Sequence, residues 1–333
     1  MYNLVRRHVL RWDTSELPAR PHVLAVVALA DDSTGLAFRL LSSRVGVGAL
    51  VIVLGVSCSQ PSYATDSAAR GGTVFALAAG CGCHTAEHGP VGAGGGEVPT
   101  PFGKFYGTNI TPDVETGIGR WTDAEIASAI RDGYARGTGV ESPAMPYYQY
   151  AGMSDADLAD LIAYLRTLPA VRRANRPHEG ELPFARLAYR AWRFLWAFGR
   201  PAAAAAAAGL VERGHYVVDS VAICGDCHTP RNRLGLPIGS LYLAGVAHGP
   251  GGDPIPNITP HRTGIGDWDE ADIVHLLTTG MKPDFDNVQG LMAAMIEGHG
   301  GGPGYTNAPE GDRRAIAAYL KTVAPIDNKV GGE

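Results

Sequence analysis

Cys224-Gly225-Asp226-Cys227-His228 is a C-x-x-C-H run. Residues three apart share one side of a helical turn, so both sulfurs can reach the two vinyl carbons of one haem. The next histidine projects from the same turn towards the iron. C-x-x-C by itself would also suit a redox dithiol or half a zinc site. A second C-x-x-C within range would favour zinc, and the sequence has none.

Working outward, a second cluster precedes it: Gly80-Cys81-Gly82-Cys83-His84, a C-x-C-H run one residue short. The chain around the two clusters repeats. Arg70-Gly71 recurs as Arg213-Gly214, each arginine 11 residues before the first cysteine of its cluster. Asn109-Ile110-Thr111-Pro112 recurs as Asn257-Ile258-Thr259-Pro260, and Thr116-Gly117-Ile118-Gly119 as Thr263-Gly264-Ile265-Gly266. Trp121 recurs as Trp268, and Tyr164-Leu165-Arg166-Thr167 as Tyr319-Leu320-Lys321-Thr322. Five blocks in one order mean a duplicated unit. The equal arginine spacing places the lost residue between Cys81 and Cys83.

Haem iron takes two axial ligands. With His84 and His228 as one each, the repeat register supplies the other: Met145 lies 24 residues after Trp121, and Met292 lies 24 after Trp268. Met153, Met281 and Met295 read as gap-fillers of the core. His/Met ligation raises the reduction potential and leaves no open position on iron, which suits electron transfer and opposes catalysis there. In the short motif, residues two apart point about 200° from each other on an ideal helix. Cys81 and Cys83 then both face one haem only if the turn unwinds, and Gly82 is the residue expected to permit it. Cys83, beside His84, is expected to carry the bond; Cys81 is the doubtful partner.

The expected fold is all-α: two tandem haem-binding domains at 65–169 and 213–333, each wrapped around one haem. Residues 66–80 read as a helix, Thr122 and Glu125 as a capping box ahead of Ile126 and Ile130. Ser154 caps a helix with the apolar face Leu158, Leu161, Ile162 and Leu165, and Glu310 to Val323 is its counterpart. No run alternates with period two. The linker, 170–212, holds a helix from Phe184 to Phe198 with Arg186, Arg190 and Arg193 on one stripe. It either packs between domains or rests on a membrane surface or a partner subunit. The alanine run Ala202 to Ala208 continues that helix or serves as a spacer.

The chain has 333 residues and a net charge of -5, which argues against a nucleic-acid partner. Residues 1–64 read as a leader that ends in a secretory signal peptide, about 39–64, cleaved after Ala64. Arg39 and Arg44 precede the apolar run Val45 to Cys58, and Ser62-Tyr63-Ala64 ends it as a small-residue cleavage site. That run is too short to span a bilayer. The competing readings are a retained anchor and a lipid attached at Cys58, for which Gly55-Val56-Ser57-Cys58 is a weak match.

On the Asn-Ile-Thr-Pro blocks, Thr116 to Trp121, Pro143-Ala144-Met145-Pro146 and Cys224 to Asn232, residues 66–325 resemble the multihaem cytochrome c subunits of membrane-associated bacterial dehydrogenases. The resemblance implies two c-type haems and a partner dehydrogenase catalytic subunit as electron donor. It also implies a quinone, a soluble cytochrome or an oxidase as acceptor. Haem attachment in that family takes place outside the cytoplasm, so the expected location is the periplasm, associated or not with the cytoplasmic membrane. Many members carry three haems where this chain has two motifs, which weakens the case for direct quinone reduction. The alternative is a dihaem peroxidase, which would need a displaceable ligand on one iron.

Overall fold

A computed structural model describes residues 63–100, 103–180, 184–197, 203–204, 209–233, 235–249 and 252–331. The leader up to residue 62, with its apolar run, and most of the Ala202 to Ala208 run lie outside the described residues.

Helix α1 (Tyr63–Leu77) ends where the first cysteine cluster begins, and Ala79–His84 forms a 3-10 turn. Helix α2 (Asp123–Asp132) starts at Thr122, whose side chain accepts from the Glu125 amide while the Glu125 carboxylate accepts from Thr122 N. A four-residue helix α3 (Tyr147–Tyr150) follows Met145-Pro146 directly. Helix α4 (Asp155–Leu165) is capped by Ser154 and buries Leu158, Leu161, Ile162 and Leu165, the face its sequence shows. Helix α5 (Ala185–Ala197) occupies the linker.

The second repeat runs α6 (Leu210–Ser220), α7 (Cys224–His228), α8 (Glu270–Thr279), α9 (Gly290–Glu297) and α10 (Glu310–Leu320). Its packing copies the first: α1 lies on α4 as α6 lies on α10. The Arg-Gly blocks explain the closeness of both crossings. A Cβ on Gly71 would sit 1.8 Å from the Asp160 carbonyl oxygen, and one on Gly214 would sit 1.9 Å from that of Ala315. Only glycine lets the helices approach so far. The arginines beside them pair across the same crossings, Arg70 with Asp160 at 2.6 Å and Arg213 with Asp312 at 2.7 Å. Buried residues of both repeats, from Phe75 and Leu161 to Val217 and Ile316, join in one apolar cluster.

The fold is mostly helical but not all-α. Strands β1 (Glu97–Thr100) and β2 (Gly103–Tyr106) pair antiparallel, Glu97 opposite Tyr106. Strands β3 (Tyr134–Ala135) and β4 (Gly139–Val140) form a second hairpin. Runs of two to four residues are too short to show alternation. The first hairpin also draws on distant chain: Lys104 and Glu179 exchange both backbone hydrogen bonds, at 2.8 and 2.9 Å.

Candidate haem sites

Each site is built on a histidine whose ring is fixed from behind. His84 Nδ1 lies 2.7 Å from the Thr108 carbonyl oxygen, and His228 Nδ1 lies 2.8 Å from that of Pro256. A carbonyl can only accept, so Nδ1 carries the proton and Nε2 keeps its lone pair for a metal. Burial lowers both imidazole pKa values, against a smaller upward push from the carbonyl bond. Neutral, oriented imidazoles are what iron ligation needs.

Thr108 and Pro256 each directly precede an Asn-Ile-Thr-Pro block, and the blocks aim them. Asn257 is buried; its Oδ1 accepts from Thr259 N and Thr259 Oγ1, both at 2.8 Å, and its Nδ2 donates to the Ile326 carbonyl at 2.8 Å. Asn109 does the same with Thr111 and with the Val171 carbonyl. The loop carrying the acceptor is thereby tied to the chain beyond the last helix of its repeat. The basic residue of each Tyr-Leu-Arg/Lys-Thr block adds a second tie. Arg166 donates to the Ile118 carbonyl at 3.1 Å, and Lys321 to that of Trp268 at 2.6 Å.

The turn after each histidine is also duplicated. Gly94 N donates to the His84 carbonyl and Gly245 N to that of His228, both at 2.7 Å. Thr85 Oγ1 accepts from Gly92 N, and Thr229 Oγ1 from Leu243 N, both at 3.0 Å. The shortened cluster has kept the scaffold of the intact one.

The cysteine turns differ. Cys224, Cys227 and His228 lie on one turn of α7, entered through a single left-handed residue, Ile223 (φ 46°). In the short motif three successive residues are left-handed: Ala79 (φ 53°), Gly80 (φ 63°) and Cys81 (φ 47°). The lost residue is thus absorbed ahead of Cys81 and at Cys81 itself, not at Gly82. A carbonyl from Pro303 lies 2.8 Å from where a Gly80 Cβ would be, and the His299 ring lies 2.3 Å from where a Gly82 Cβ would be. Gly80 therefore requires glycine, and a side chain at Gly82 would have to displace the His299 ring.

The four cysteines of the two clusters form no disulfide with one another. Burial pushes Cys81, Cys224 and Cys227 up to about 12. Cys83 is the exposed one, yet protein packed around its sulfur still lifts it to about 11. A redox dithiol depends on a depressed thiol pKa, and burial acts on these thiols in the opposite direction. Among the described residues no group of three or more His, Cys, Asp or Glu side chains is placed to chelate an ion. Cysteine pairs beside a histidine with a free Nε2 fit covalent haem.

The methionines are placed unequally. Met145 sits in a loop, its amide bonded to the Ser142 carbonyl at 3.0 Å, whereas Met292 is the third residue of α9. Both are half-buried against the apolar cluster, as are Cys81, Cys224 and Met295, while Met153 is wholly buried within it.

The cytochrome c family profile matches residues 68–169. A diheme cytochrome c-type protein of Cereibacter sphaeroides is 38% identical over 304 residues, covering 89% of this chain and 98% of the relative. The chain belongs to the cytochrome c family. The cytochrome is also 35% identical to a fructose dehydrogenase cytochrome subunit of Gluconobacter japonicus, over 86% of this chain and 60% of that one. With the cytochrome c subunit of a quinone-linked alcohol dehydrogenase from Gluconobacter oxydans it shares 33% identity, over 84% of this chain and 59% of the relative. It spans about three-fifths of these dehydrogenase subunits. Membership brings covalently bound c-type haem and electron transfer. No helix among the described residues is long and apolar enough to cross a membrane.

Proposed function

We propose that the cytochrome is a dihaem electron-transfer subunit, fed by a partner dehydrogenase and discharging to a respiratory acceptor in the periplasm. The observation that carries this reading is the duplicated anchor: two histidines, each held through Nδ1 by the carbonyl ahead of an Asn-Ile-Thr-Pro block. In this reading Cys83, with Cys81 beside it, would attach the first haem, and His84 and Met145 would ligate its iron. Cys224 and Cys227 attach the second, with His228 and Met292. A haem so held supplies a one-electron couple. The protein's part is to fix the imidazoles and exclude water, and an iron held by both a histidine and a methionine would have no open position for peroxide. The domains are then 65–169 and 213–333.

Helix α5 supports contact with a membrane surface or the partner subunit. Trp192 packs on Tyr148, ring centroids 5.1 Å apart, and Arg193 donates to the Asp132 carbonyl at 2.6 Å. That leaves Phe184, Leu187 and Phe194 outward, 85%, 65% and 64% exposed.

The test is turnover by the purified protein alone and with its partner. Alone it should oxidise no alcohol or sugar and reduce no peroxide; with a dehydrogenase catalytic subunit and substrate its haem bands should become reduced. Unaided substrate oxidation or efficient peroxide reduction would refute the reading.

A further inference from the structure

Asp226, between the two cysteines of the intact motif, makes contacts that none of the other motif residues makes. Its Oδ1 accepts from Tyr148 Oη at 2.5 Å, from Gln149 Nε2 at 2.9 Å and from Arg231 Nη2. Arg231 also donates to Tyr148 Oη at 2.7 Å and, through Nη1, to the Gly235 carbonyl at 2.9 Å. Tyr148 and Gln149 belong to the first repeat. They lie on α3, three and four residues after Met145. One carboxylate oxygen therefore fastens the methionine loop of the first site to the attachment turn of the second.

The reach is reciprocal. Residues beyond Met292 lie on the first motif, His299 over Gly82 and Pro303 over Gly80, and α9 packs against the Ala79–His84 turn. Each attachment turn is thus covered by chain that follows the other repeat's methionine. The two turns are also close: the charge of Asp226 bears on the thiols of both Cys83 and Cys227, and Cys83 bears on Cys227. By register from the histidines, the position of Asp226 in the first motif is Gly82, so this one carboxylate serves the whole junction.

We propose that the Asp226–Arg231 ion pair is the electrostatic joint between the two haem sites, holding the Met145 loop on the second attachment turn and setting the reduction potential of both irons. The proposal rests on the dihaem reading. A carboxylate near an iron favours its ferric state and a guanidinium its ferrous state. Paired, they nearly cancel; with one removed, the survivor acts on both sites. A unit charge about 10 Å away, at an effective dielectric constant of about 20, changes the reduced-to-oxidised ratio by about tenfold.

The test is a spectroelectrochemical titration of the haem-loaded protein and three variants. Asp226→Asn keeps the shape but leaves Arg231 unopposed, so both midpoints should rise. Arg231→Gln leaves Asp226 unopposed, so both should fall. Tyr148→Phe removes the clasp hydroxyl and keeps both charges, so both should stay near wild type. A purely structural clasp would move the two charge variants in the same direction, and that result overturns the proposal. So does a shift confined to the haem of His228, which would make Asp226 a local group. The haem count is measured first on each preparation: one haem per chain refutes the dihaem reading itself, whereas two haems with unshifted midpoints refute only the joint.

Discussion

Replacing Asn257 by alanine tests whether the repeat blocks exist to aim the histidines. Asn257 is 2% exposed and makes four good hydrogen bonds: from Thr259 N and Oγ1, to Thr263 Oγ1 at 3.1 Å, and to the Ile326 carbonyl at 2.8 Å. Truncation leaves the buried Thr259 amide without a partner and the Ile326 carbonyl with only the longer bond from Thr259 Oγ1, at 3.5 Å. The unsatisfied buried amide costs about 1–3 kcal/mol and the weakened carbonyl about 1 kcal/mol, so the loss is about 2–4 kcal/mol in total. For a chain of this size that lowers the thermal midpoint by about 5–10 °C. The second effect is specific to the site. The loop that loses its tie carries Pro256, whose carbonyl orients His228, so the second haem should show a high-spin fraction while the first stays low-spin. Asn109→Ala should do the reverse through Thr108 and His84. Calorimetry with the visible and near-infrared spectra of each variant measures both effects. An Asn257→Ala protein that melts like wild type with an unchanged spectrum would refute the aiming role.

Met292→Ala should make the second haem high-spin or open to carbon monoxide; a normal low-spin spectrum would move the ligand to Met295 or Met281. Gly214→Ala would put a methyl 1.9 Å from the Ala315 carbonyl oxygen and 2.7 Å from Tyr319 Cβ. Backbone must then move, so the expected destabilisation is about 3 kcal/mol, and an unchanged melting midpoint would show that the α6–α10 crossing is looser than described. Cys81 holds a left-handed conformation that costs a non-glycine residue about 1–2 kcal/mol, whereas Cys83 adjoins His84. Cys81→Ala should therefore keep two haems per chain, with Cys81 of the wild type open to alkylation after denaturation and Cys224 closed to it. A fall to one haem would show that Cys81 is required for attachment.

What the sequence shows well is what side-chain identity encodes locally. The Thr122–Glu125 capping box and the apolar face from Leu158 to Leu165 depend on spacing within one helix, and both stand as read. The two histidine motifs are legible because cysteine and histidine at fixed spacing are chemically distinctive. The partners of those histidines are not, because they are backbone carbonyls, and Thr108 and Pro256 do not even match each other. Their position just before a repeated block was the one available signal. The left-handed stretch lies at Ala79 to Cys81, not at the expected Gly82, for a different reason. Its neighbours, His299 and Pro303, come from more than 200 residues away, and no local rule contains them. The Asp226 clasp is hidden likewise, since an aspartate within C-x-x-C-H reads as a solvated residue until Tyr148 is brought to it. On α5 the arginines stand out in the sequence, yet Arg186 and Arg193 turn to backbone carbonyls while Leu187 and Phe194 are largely exposed.

The central claim is that both histidine motifs, the shortened one included, hold haem. The direct measurement is the haem-to-chain ratio of the purified protein, from the pyridine haemochrome spectrum and the intact mass after denaturation. The account predicts two covalently bound haems per chain. It further predicts a composite haemochrome band, because a first haem held by one thioether keeps an unsaturated vinyl group. One haem per chain, with the peptide containing His84 unmodified, would contradict it.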